Sequence, residues 1–79
     1  MTMLVLEGSL LGTALAQAGD EEVIVVDASA AELERLEREA RDPRVCFLIG
    51  DPSVLPLPDA SVNRAIGDGV EPELSRVLR

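Results

Sequence analysis

The sequence has no histidine, lysine, tryptophan or tyrosine, one phenylalanine (Phe47) and one cysteine (Cys46). A single cysteine excludes an intramolecular disulfide. Without histidine or a cysteine pair, a structural zinc site has no ligand set. A catalytic pocket with a histidine base or an aromatic clamp is equally hard to build. No apolar run approaches the ~20 residues of a membrane span. The start, "MTMLVLEGS", lacks the basic residues and long apolar stretch of a signal peptide. These absences point to a soluble cytoplasmic protein. Positive charge is also scarce: seven arginines face 15 acids, for a net charge of −8. That balance disfavours nucleic acid and anionic membranes as partners; the acids read as a solvated surface. One asparagine, one glutamine and short connections suit a thermophile.

The 79 residues are enough for one small domain, 1–79. A chain of this size buries only about 60–65% of its unfolded surface, so its stability needs support. With disulfide and zinc removed from the options, oligomerisation is the expected source.

Apolar runs and turn signals alternate along the chain. "MLVL", residues 3–6, reads as a buried strand. Ser9 is a candidate cap for the following helix, in which Leu11, Ala14, Leu15 and Ala18 recur at helical spacing. Gly19 provides its stop. "EEVIVVDAS" contains four consecutive β-branched residues, Val23 to Val26, as in a strand covered on both faces. Ser29 and Glu32 form an S-x-x-E capping box for a second helix, whose apolar stripe is Leu33, Leu36 and Ala40. Glu34–Arg38 and Glu37–Arg41 are i,i+4 pairs in the favourable order. Pro43 prevents the helix continuing past Asp42.

"VCFLIGD" repeats the strand-then-acid pattern, and Cys46 within it reads as a buried apolar residue. "PSVLPLPDAS" is a proline-rich loop, "VNRAI" (62–66) a fourth strand and "GDG" a turn. Pro72 opens a last helix with Leu74, Val77 and Leu78 on its apolar face. The order β-α-β-α-β-loop-β-α implies an α/β fold with a mainly parallel sheet between helical layers and right-handed crossovers.

Three of the strands end in an acid: Glu7, Asp27 and Asp51. Ligands of open parallel sheets bind beyond the carboxyl ends of the strands. An acid after the second strand can accept from both ribose hydroxyls, and one after the third can accept from an exocyclic amine. Acids at helix starts are also favoured by the helix dipole alone, so spacing leaves both readings open. Asp68 and Glu71 read as turn and helix-start residues rather than catalytic bases. A nicotinamide-binding half would also place an acid after strand two, but no G-x-G-x-x-G is present.

At these residues the chain resembles the class I S-adenosylmethionine-dependent methyltransferases, nearest to the small-molecule branch of ubiquinone and menaquinone biosynthesis. "LVLEG" resembles the first motif, and "EEVIVVDASAAELERLEREA" the second strand, its acid and the next helix. "VCFLIGDPSVLPLPDASVNRAI" resembles the third strand, its acid, the "LPFPD" loop and the fourth strand; "ELSRVLR" resembles the approach to "RVLKPGG". The resemblance implies a Rossmann-like three-layer sandwich with a four-stranded sheet ordered 3-2-1-4. It implies S-adenosylmethionine as cofactor. Asp27 would hold the ribose hydroxyls, and Asp51 would face the adenine amino group with Pro52 and Ser53 beside the ring. Glu7 and Gly8 would lie near the methionine.

The chain departs from this pattern in three ways. Glu7 and Asp27 are spaced more closely than is usual, and "EGSLLGT" does not reproduce G-x-G-x-G, so Ser9-Leu10-Leu11 would place leucines where ligand lies. Asn63 stands where the family has an acid. Arg79 falls where the family continues into further strands, leaving the fourth strand as an open edge. The expected protein is therefore methyltransferase-like without self-sufficient catalysis, or else a degenerate non-catalytic module for oligomerisation or protein interaction. A homodimer pairing fourth strands, or another protein partner, is expected with either.

Overall fold

The computed structural model describes residues 1–6, 8–51, 53–67 and 71–79, with Glu71 through its backbone. Its elements are β1 (Thr2–Val5), a 3-10 turn (Gly8–Leu10), α1 (Leu11–Ala18), β2 (Glu22–Asp27), α2 (Ala30–Ala40), β3 (Val45–Ile49), β4 (Arg64–Ile66) and α3 (Glu71–Val77). The four strands form one sheet in the order β3-β2-β1-β4. Every pairing is parallel, with Leu4 opposite Ile24 and Ala65, and Val25 opposite Phe47. Parallel strands need crossovers, which α1, α2 and the 50–63 segment supply.

Side-chain alternation divides the core between the two faces of the sheet. Met3, Val5, Val23 and Val25 pack with Leu11, Ala14, Ala18, Leu33 and Leu36 of α1 and α2. On the other face Leu4, Leu6 and Val26 pack with Leu55, Val62 and Val77. β1 and β2 are central and apolar because both of their faces are covered.

Four local expectations are corrected. Ser9 lies inside the 3-10 turn, and α1 begins after Leu10 without a side-chain cap. The short link from β1 runs straight into helical geometry, so no extended capping residue precedes the helix. On α2, Arg35 pairs with Glu32 and Glu39. The Glu34–Arg38 and Glu37–Arg41 pairs do not form among the described residues. Arg41 is the left-handed cap (φ 44°), and its guanidinium donates to the Arg38 carbonyl instead. Cys46 is exposed. It faces away from α2 on an outer strand, where the packed loop and α3 reach Leu48 but not Cys46. The fourth-strand edge is partly covered. Val62 donates to the Val77 carbonyl (2.9 Å) and accepts from the Arg79 N–H (2.9 Å), a parallel bridge on the side away from β1. β4 is nevertheless an edge strand of the sheet, with β1 its one neighbour among the described strands.

Asn63 sits at the amino end of β4. Its side-chain oxygen accepts from Thr2 N–H (2.9 Å) and its own N–H donates to the Thr2 carbonyl (2.8 Å). It therefore pins the start of β1, at the end of the sheet opposite the strand-end acids. The "GDG" turn and Asp68 lie outside the described residues, as does the Glu71 side chain. No described helix is long and apolar enough to cross a membrane.

Candidate functional site

The carboxyl ends of β2 and β3 lie side by side. Asp27 closes β2 opposite Ile49, and the next residue, Gly50, donates its N–H to the Asp27 carbonyl (3.1 Å). The chain then reaches Asp51. The parallel register thus brings two of the predicted site acids, Asp27 and Asp51, to one end of the sheet. Glu7 and Pro52, also predicted there, lie outside the described residues.

Each acid organises the turn that follows it. Asp27 Oδ1 accepts from Ser29 N–H (2.9 Å), and Ser29 Oγ accepts from Glu32 N–H (3.3 Å) to cap α2. The reciprocal half of the capping box is absent, because the Glu32 carboxylate is taken by Arg35. Asp51 Oδ1 accepts from Ser53 N–H (2.8 Å) and Ser53 Oγ (2.7 Å). The Ser53 N–H, and then its hydroxyl, hold the Asp51 carboxyl below the usual carboxylate range. Among the described residues the second oxygen of each carboxylate has no partner, so each acid retains an outward acceptor. Ser53 thus anchors Asp51.

Gly50 and the exposed apolar residues nearby carried no predicted role. A side chain at Gly50 would meet the Pro56 ring, with Cγ and Cδ both 2.9 Å from the ideal Cβ position. Glycine here lets the proline-rich loop close over the end of β3. The loop is held from below by Arg76, which donates to the carbonyls of Leu55 (3.0 Å) and Leu57 (2.7 Å) and pairs with Asp59 and Glu73. Glu73 also accepts from Leu55 N–H (2.7 Å), and Arg76 followed by that N–H lowers its pKa. Glu73 is thereby committed to structure. Ile49 and Val54, 63% and 69% exposed, flank Asp51 with apolar surface. "PSVLPLPDAS" signals a loop, but not which of its residues stay open.

The turn after β1 is closely packed at Gly8. Gly8 is buried, and a Cβ there would collide with Leu36 Cδ1 of α2, with Glu32 Oε1 3.5 Å away. Its missing side chain makes room for α2. Leu10 and Leu11, expected in the ligand space, turn into the α1–α2 core, because the short turn starts the helix with its apolar face already directed inward. Grooves of about 330, 380 and 230 Å³ open on the surface, and none of the three is lined by Asp27 or Asp51. The first of them lies between α1 and α2 beside Gly8. Asp27 is half-buried and Asp51 exposed at the strand ends. No group of acids and cysteines able to hold a metal occurs among the described residues.

No protein-family model and no curated protein matches the sequence. Solved structures do. A S-adenosylmethionine-dependent methyltransferase from Aquifex aeolicus superposes with a TM-score of 0.77 at 20% identity, over 100% of this chain and 51% of that one. A chain from the complex of the Haloferax volcanii Trm112 methyltransferase activator with a methyltransferase gives 0.76 at 24% identity, over 99% of this chain and 40% of that one. The chain thus spans about half, or less, of the length of the structures it resembles. Both likenesses concern the fold and do not extend to the quinone-biosynthesis branch.

Proposed function

The chain has the four-stranded, 3-2-1-4 Rossmann-like fold of the class I S-adenosylmethionine-dependent methyltransferases, and from that premise we propose that it is a cofactor-binding portion of such an enzyme, completed for catalysis by another polypeptide. The observation that carries this reading is the pair Asp27 and Asp51 on adjacent strand ends, each fixed through one carboxylate oxygen and open at the other. In this reading Asp27 accepts from the ribose hydroxyls and Asp51 from the adenine amino group. Ser53 and the apolar surface of Val54 lie beside the ring, as would Pro52. Glu7 and Gly8 belong to the methionine side. The bound cofactor would supply an electrophilic methyl group. This chain's residues bind and orient it, and none is assigned to methyl transfer.

The test is calorimetric titration with S-adenosylhomocysteine of the chain and of Asp27→Asn. The amide keeps an acceptor for Ser29 N–H but loses the charge. A hydrogen bond to a charged group is worth about 1.5–3 kcal/mol, so affinity is expected to fall about 10- to 100-fold. Unchanged affinity in the variant contradicts the ribose role.

A second reading has its own observation: Leu36 occupies the space that Gly8 leaves. If this closes the site altogether, the chain is a non-catalytic module for assembly. With either reading, we propose a homodimer joined along the outer side of β4 itself, since the edge at Val62 is already covered by Leu78 of the same chain. The Haloferax structure, solved with an activator protein, lends a precedent for partnering on this fold.

A further inference from the structure

We infer that the open edge of β3 receives an extended, apolar segment of another polypeptide that carries basic residues, an inference that rests on the reading above that a second polypeptide completes the chain. The hydrogen bonds of the sheet fix which groups of β3 are free. Val23 N–H donates to the Arg44 carbonyl (2.9 Å), and Gly50 N–H to the Asp27 carbonyl (3.1 Å). In the evenly spaced ladder of a parallel pair, the backbone groups of residues 44, 46, 48 and 50 therefore face β2. Those of Val45, Phe47 and Ile49 face the opposite side, where no described strand lies. The Asp42 carbonyl accepts from Val45 N–H (3.1 Å). That leaves the N–H groups of Phe47 and Ile49 and the carbonyls of Val45 and Phe47 for a neighbour. Natural edge strands are ordinarily blunted by charge, proline or a covering segment. Val45–Ile49 contains no charged residue and no proline. β4, by contrast, has three residues, begins with Arg64, and is preceded by Val62 already bridged to Leu78.

The surroundings of this edge suit a strand. Successive side chains of a strand point to opposite faces of the sheet, and a groove accompanies β3 on each face. Val45 and Phe47, on the α2 face, line one of about 380 Å³ together with Glu37. Ile24 and Cys46, on the other face, line one of about 230 Å³ together with Glu22. Among the described residues the Glu22 and Glu37 carboxylates have no hydrogen-bond or ion-pair partner. One acid thus stands open beside each groove. In strand addition, main-chain hydrogen bonds supply affinity, and pockets for alternate side chains supply selectivity. Apolar side chains suit the two grooves, and basic ones suit Glu22 and Glu37. A second copy of β3 has no cation to offer between Val45 and Ile49, and it arrives on a chain of net charge −8.

The test is a backbone amide NMR titration of the chain with a short, end-capped peptide alternating lysine and valine. The same peptide N-methylated at every residue serves as the comparison, since it keeps charge and side chains but has no N–H to donate. The expected result is saturable shifts at Val45, Phe47 and Ile49 and slower hydrogen exchange at the Phe47 and Ile49 amides. The methylated peptide is expected to bind at least about tenfold more weakly, because several main-chain hydrogen bonds, each worth severalfold in affinity, are lost. No saturable shift, shifts away from β3, or equal affinity for the methylated peptide overturns the inference. Shifts of Phe47 and Ile49 with protein concentration alone also overturn it and assign the edge to a second copy. S-adenosylhomocysteine added to the same sample separates the two readings: binding at Asp27 without a peptide response leaves the cofactor reading standing, and no response to either ligand removes both.

Discussion

Gly8 shows how a residue singled out by the sequence can carry a packing role that the sequence does not reveal. The sequence offers a glycine after an apolar strand, which suits backbone approach by a ligand. The structure fills the same vacancy with Leu36. Sequence spacing cannot distinguish these outcomes, because Leu36 lies 28 positions away and reaches Gly8 only through the β1–β2 pairing. Gly8→Ala is expected to destabilise the fold by about 1–3 kcal/mol through overpacking, read as a lower urea midpoint at constant slope. The double variant Gly8→Ala/Leu36→Ala should cost less than the sum of the single changes, because the new methyl enters space that Leu36 vacates. Strict additivity would show that the two positions are independent. The position of Asp27 and Asp51, though not a role, was legible, since an acid at the end of an apolar strand run falls at the carboxyl edge of the sheet.

At the scale of elements, strands and helices followed directly from the apolar runs and helical spacings, and the misses cluster where tertiary contact overrides local preference. Cys46 sits in an apolar run, but β3 is an outer strand and its second face is covered only at Leu48. On α2 the ion pairs join Arg35 to Glu32 and Glu39, while the Arg41 guanidinium is drawn to the Arg38 carbonyl at the helix end instead of to Glu37. The α2–β3 connection carries a pH-dependent clasp. The Arg44 guanidinium, and then its backbone N–H, lower the Asp42 pKa to about 2. A carboxylate whose pKa is depressed in the folded state contributes stability above its unfolded pKa of about 3.9. That contribution is lost as pH falls through the folded value. Asp42→Asn is therefore expected to lower the thermal midpoint at neutral pH, with the gap to the unmodified chain closing as the pH approaches about 2. A gap of constant size across that range would show that Asp42 acts without its charge.

For the molecule as a whole, the sheet order 3-2-1-4 was legible only through the family resemblance, because alternation alone gives a parallel sheet and not its order. What the resemblance did not convey was the return of Val77–Arg79 alongside Val62. This narrows the surface for the proposed homodimer to β4 and its continuation. Two chains of net charge −8 repel one another, and salt screens that repulsion over a distance of about 10 Å at 0.1 M. Sedimentation equilibrium is expected to give a dimer whose dissociation constant tightens as salt is raised. A monomer mass at every concentration would remove the homodimer.

In the proposed function, the adjacent strand ends at Asp27 and Asp51 bind a nucleoside. The most direct measurement is a backbone amide NMR titration of the chain with S-adenosylhomocysteine. Saturable shifts are expected at Asp27–Ser29 and at Gly50, Asp51, Ser53 and Val54, with those at Gly12 and Leu15 in the α1–α2 groove small. Shifts concentrated in that groove, or no saturable shift anywhere, would contradict the proposed function.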